Sequence, residues 1–222
     1  MTADFARGQN NSTVYLQVSP ANVAVEGLSY RALGLIGSKT AAPSTLHSNA
    51  APEGNEIPGI AEPGFYPADV SNPLQVPAVV TTAHHPIYVD NEPSHWGNVG
   101  AFLTDLGQSD FIHLLDQYVG SSANNRYTLG TSFIAPSYPI PPNHTLLIGD
   151  ILTLVHAGAS ITGDGFGHIY HVFLPKGVDM CLGPPTQLQC YSPDNPSTFF
   201  FCAFHGSVTF SDKGHVLFSV EP

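Results

Sequence analysis

Between residues 37 and 79 the chain places seven prolines, Pro43, Pro52, Pro58, Pro63, Pro67, Pro73 and Pro77, at irregular intervals among alanines and glycines. Proline fixes φ and has no N–H to donate, so such a run can form neither a helix interior nor a central strand. The intervals are too irregular for a collagen helix. The passage reads as an irregular arm packed on something else, or as a linker. It divides the chain into residues 1–80, a strand-like stretch at Thr13–Val25 followed by the Pro/Gly-rich arm, and residues 81–222, the main globular domain. An arm without periodic apolar content cannot build its own core. It is expected to order against a neighbouring copy, which makes the chain a self-associating one.

Beyond the arm the apolar pattern is regular enough to predict elements. In Gln108–Val119, Phe111, Leu114, Leu115 and Tyr118 recur at helical spacing, with Ser109 or Asp110 as cap and Gly120 as stop. Thr145–His156 is apolar throughout and fits either a helix starting near Asp150 or a buried strand. Gly167–Pro175 alternates as a strand, with Ile169, His171 and Phe173 on one side and His168, Tyr170, Val172 and Leu174 on the other. Ser197–His205 and Val216–Val220 are further strands. The expected fold is α/β or α+β, a mixed sheet with a few packed helices, preceded by the extended arm.

Seventeen acidic residues against six basic ones give a formal charge of −11, which repels a phosphate backbone and an anionic lipid surface alike. Nucleic acid and membrane insertion are therefore excluded as partners, and no run reaches the 18 or so apolar residues a spanning helix needs. The first ten residues lack the basic and apolar segments of a signal peptide, so an exported chain would have lost its signal or used another route. Cys181, Cys190 and Cys202 lie close together. A bridge between Cys181 and Cys190 closes a short loop and adds about 2–3 kcal/mol by chain entropy; three buried thiols are the alternative. A disulfide implies a secreted or cell-surface setting. Asn10–Thr13 and Asn143-His144-Thr145 contain glycosylation sequons.

Eleven histidines against six Lys and Arg motivate a search for metal. His168 and His171 sit three apart, on opposite faces of a straight strand. With a bulge, or with His205 arriving from a neighbouring strand, a site using two of these three could form and hold zinc. Gly163–Gly167 is a turn in which Asp164 and backbone carbonyls could take calcium. Otherwise no cofactor is indicated. His84-His85-Pro-Ile-Tyr-Val-Asp90 and Asn91–Trp96 place Tyr88 and Trp96 beside Asp90 and Glu92, the aromatic-plus-acid pairing of a carbohydrate cleft, with a well-packed loop as the plainer reading. Cys202 and His205 have the odd spacing that points side chains apart on a strand, which does not suit a nucleophile and its base.

Four segments together, Gln117-Tyr118, Asp150-Ile-Leu-Thr-Leu-Val155, His168–Val178 and Phe201-Cys-Ala-Phe-His-Gly206, resemble the phosphate-induced, Exordium-like proteins and their bacterial relatives, over roughly residues 100–222. The resemblance implies an extracytoplasmic α/β domain associated with the cell wall. Some of those relatives resemble zinc peptidases through a Ser-His-Glu helix beyond the Cys-aromatic-His element. This sequence contains neither His-Glu-x-x-His nor His-Glu-x-x-Glu and reaches Glu221-Pro222 without them. The expectation is thus a non-catalytic extracytoplasmic structural or interaction domain. A zinc-peptidase-like hydrolase with an incomplete motif and a wall-polysaccharide binder are the alternatives.

Overall fold

The computed structural model describes residues 13–20, 23–34, 81–89, 97–115, 124–183, 188–195 and 197–222. The arm from residue 37 to 79 lies outside them. The strands are β1 (Thr13–Tyr15), β2 (Val25–Gly34), β3 (Thr82–Tyr88), β4 (Tyr127–Leu129), β5 (Ser132–Ile134), β6 (Thr145–Leu147), β7 (His168–Phe173), β8 (Asp179–Leu182), β9 (Gln189–Tyr191), β10 (Phe201–Phe210) and β11 (His215–Glu221). The helices are α1 (Val99–Gln108) and α2 (Ile148–Thr162), with a 3₁₀ segment at Asp110–Leu115. The mixed α/β expectation holds.

Eight strands form one sheet in the order β1-β5-β3-β7-β11-β10-β2, with β4 also paired to β3. From β1 to β11 the neighbours are parallel; β10 then runs antiparallel to both β11 and β2. The strands before residue 80 are therefore the outer strands of this same sheet. After β3 the chain passes through α1 to β4 and β5 on one side, then returns through α2 to β7 on the other. Gly100 of α1 meets Leu129, which shares the sheet face of His84, whereas Gly158 of α2 meets Tyr170 and Ile87 on the opposite face. Crossovers in opposite directions on opposite faces share one hand, as parallel connections require.

The α2 face is the apolar one. Ile87, Phe133, Tyr170, Val172, Phe218 and Val220 are each at most 1% exposed and pack with Ile151, Leu154 and Val155 of α2. The ambiguous segment 145–156 contains both predicted structures in succession, a three-residue strand and then a helix. Asp150 sets the boundary: its carboxylate accepts the Leu147 N–H and the Tyr138 hydroxyl, both at 2.8 Å. Asp150→Asn is expected to cost about 1–2 kcal/mol, a drop in Tm of a few degrees by calorimetry, because one charged acceptor serves two donors.

In the described part of Gln108–Val119, residues 108–115, the expected α-helix is replaced by the last residue of α1 and a 3₁₀ turn. Asn98 Oδ1 caps the Ala101 N–H at 2.9 Å, so α1 starts at Val99, upstream of the expected helix, and ends where Ser109 N–H bonds Leu106 O. Asp110–Leu115 winds as 3₁₀, in which i and i+3 eclipse. Ile112 becomes the buried residue, while Phe111 and Leu114 are 64% and 63% exposed. The buried Arg126 guanidinium holds this turn by donating to Ile112 O at 2.7 Å. Tyr118 and Gly120 lie outside the described residues.

A second, three-stranded sheet runs β6-β8-β9. Cys181 and Cys190 stand directly opposite each other in β8 and β9 and are joined, with Cα atoms 4.1 Å apart. Cys190 spends its N–H on Thr198 O and its carbonyl on the Phe200 N–H, away from β8. The cysteines thus form a non-hydrogen-bonded cross-strand pair, the kind that brings Cα atoms closest. Replacing both cysteines by Ala should lower unfolding free energy by about 2–3 kcal/mol in denaturant titration. Cys202 is exposed and free.

Candidate functional site: histidines paired across the central strands

The segment His84-His85-Pro86 is not a loop but the middle of β3, flanked by parallel neighbours on both sides. Proline is tolerated here for a local reason. Odd-numbered N–H groups of β3 point to β7, as Ala83 and Val89 show, and even-numbered ones point the other way, as Thr82 shows. The missing donor of Pro86 therefore faces the edge where β4 has ended at the His84 register and β5 begins only at Ile87. Gly130 and Thr131 fill that gap.

Adjacent histidines on a strand point to opposite faces, and each finds a diagonal partner on β7. On the face covered by α1, His84 Nδ1 lies 2.7 Å from His171 Nε2. The rings are parallel within 2° and their centroids are 5.0 Å apart, the geometry of a head-to-tail in-plane hydrogen bond. On the α2 face, His85 Nε2 lies 3.0 Å from His168 Nδ1, and His85 Nδ1 lies 3.1 Å from Thr131 O. His85 is 3% exposed and stacks on Tyr170.

The hydrogen positions follow from the acceptors. A carbonyl only accepts, so His85 Nδ1 carries the proton to Thr131 and Nε2 receives one from His168 Nδ1. On the other face the Ser219 hydroxyl donates to Glu221 at 2.9 Å, so it must accept from His171 Nδ1 at 2.7 Å. His171 Nε2 then accepts from His84 Nδ1. Every ring in the two pairs carries its bonding hydrogen on Nδ1. The chain His84 to His171 to Ser219 to Glu221 points all its donors toward the carboxylate.

Burial lowers three of these imidazoles. His84 and His85 are pushed down to about 4, the latter against a raising contribution from Thr131 and with smaller lowering from His168 and His84. His171 is pushed down to about 3 by burial and by the neighbouring His84 and His85. These rings are neutral at pH 7.

The residues singled out for zinc do not converge. His168 and His171 are on opposite faces of β7, and His205, exposed on β10, is two strands from His171 with Ser219 between their registers. Among the described residues no group of three His, Cys, Asp or Glu is placed to hold a metal. Asp164, the calcium candidate, accepts the Gly214 N–H at 2.6 Å and locks the Gly163–Gly167 turn to the β10–β11 hairpin. Tyr88, read as a cleft wall, is 7% exposed and stacks on Phe173, because it ends a central strand. Asp90, Glu92 and Trp96 lie outside the described residues. Sequence reading missed Ser219 and Glu221, although their i, i+2 spacing puts both on one face of a strand.

The fold and site define a mixed α/β protein, doubly wound around a parallel half-sheet, with a histidine ladder across its central strand pair. Comparison with family models, with curated proteins and with solved structures finds no match to this chain. Among the described residues no helix is long and apolar enough to cross a membrane.

Proposed function

We propose that the chain is an extracytoplasmic structural or interaction domain that associates with copies of itself and performs no acid–base or metal chemistry. The observation that carries this is the fate of the histidines. Of the eight ring nitrogens in the two pairs, six are bonded inside the sheet, and three of the rings are held neutral by burial. A serine nucleophile is disfavoured by the same network, since Ser219 is 9% exposed and gives its proton to Glu221 rather than to His171. The Cys181–Cys190 bridge supports an oxidising setting. Phe102, Phe111 and Leu114, each more than 60% exposed, supply apolar surface for association.

With a formal charge of −11, copies repel at long range, so self-association should strengthen as salt screens that repulsion. Sedimentation across a dilution series at 0.05 and 0.5 M salt is the test. A concentration-dependent rise in mass, larger at high salt, is expected; a monomer under every condition would end the self-association reading. Stoichiometric zinc whose chelation unfolds the protein would end the metal-free one.

A further inference from the structure

We infer that Asn143 is an acceptor for an N-linked glycan, a site that deepens the extracytoplasmic reading and rests on it. The sequon Asn143-His144-Thr145 occupies the turn that leads into β6, with His144 N–H bonded to Pro141 O at 2.8 Å. His144 has φ +53°, which swings the chain sharply after the asparagine. Asn143 is exposed, and no described residue bonds its side-chain amide nitrogen. The Thr145 hydroxyl lies 3.2 Å from Asn143 O and the Thr145 N–H 3.4 Å from Asn143 Oδ1, so the turn holds the threonine over the asparagine. β6 is an outer strand of the small sheet. A glycan on Asn143 would stand in solvent without displacing any core residue.

The chemistry needs a donor of one class, an oligosaccharide carried on a lipid pyrophosphate. The asparagine Nδ2 attacks the anomeric carbon and forms the N–C bond. The bond from that carbon to the phosphate oxygen breaks, the lipid pyrophosphate leaves with the electron pair, and the amide proton passes to the transferase. Thr145 is the recognition residue of the sequon, so its hydroxyl is required and a serine can replace it. The other sequons, within Asn10–Thr13, begin on residues outside those described.

The test is secretion of the full chain through a eukaryotic host behind an added signal, followed by glycopeptide mapping. A glycan is expected on the peptide containing Asn143. It should be lost in Asn143→Gln and Thr145→Ala and retained in Thr145→Ser. An unmodified Asn143 would overturn the inference. The thiol state of the same sample separates this from the reading beneath it. Unmodified Asn143 with Cys181 and Cys190 joined defeats the glycan site alone, whereas unmodified Asn143 with both thiols free defeats the oxidising setting as well.

Discussion

Lowering the pH from 7.5 to 5 should remove roughly 3–6 kcal/mol of folding stability, with most of the loss below pH 6.5. In the unfolded chain each imidazole binds a proton near 6.5. In the fold, His84 and His85 do so only near 4 and His171 near 3. Their folded pKa values are depressed, and for a base the neutral form is then the stabilised one. The stability they contribute is fully present above 6.5 and drains as pH falls toward 4, because the unfolded chain takes up protons that the fold refuses. Three such groups give at most about 4 kcal/mol per pH unit at the steepest point; solvent reaching the half-buried rings trims this, hence the wide range. Asp212, held below the usual carboxylate range by its bond to His156, acts in a lower window: the stability it contributes is present above that range and is lost as pH falls through it. Urea titrations at pH 7.5, 6.5, 5.5 and 5 measure the slope. The double variant His84→Gln/His171→Gln should reduce the proton uptake on unfolding from three to about one. A stability flat between pH 7.5 and 5 would mean the rings are not buried as described.

Gly130→Ala should destabilise the protein by about 3 kcal/mol, a fall in Tm of roughly 6–12 °C for a chain of this length. A Cβ at this position would stand 2.4 Å from His85 Cε1 and 2.7 Å from its Nδ1. The ring cannot give way, since Thr131 O and His168 hold it from both nitrogens and Tyr170 lies against its face. The methyl must expel the ring and break both bonds. If that account is right, adding His85→Ala to Gly130→Ala costs little more than Gly130→Ala alone, a strong departure from additivity. Additive losses, or a wild-type Tm for Gly130→Ala, would show that the glycine is not making room for the histidine.

Local sequence decides an element here only where no neighbour from outside the segment intervenes. The faces of β7 are readable from strict alternation, and the Cys181–Cys190 bridge from its short spacing, although its place across two strands is not. Nor is β3. Two histidines and a proline argue locally against a central strand, and only the break between β4 and β5 makes Pro86 harmless there. The segment after Ser109 failed for a related reason: its i, i+3, i+4 pattern fits an α-helix, but the Asn98 cap starts the helix upstream and Arg126 pins the tighter turn through Ile112. Alternation alone turns His168 and His171 to opposite faces of β7. Their actual partners, His85 and His84, are more than 80 residues away in sequence, and no local pattern announces a pairing set by strand register.

The direction of the hydrogen bonds in the ladder can be observed outright by two-bond ¹⁵N–¹H correlation of the imidazole rings at pH 6. His84, His85 and His171 should appear as neutral rings with the hydrogen on Nδ1, unchanged until the pH approaches 4. An Nε2–H tautomer at His171, or half-protonation of any of the three near pH 6.5, would contradict a histidine pair closed inside the sheet.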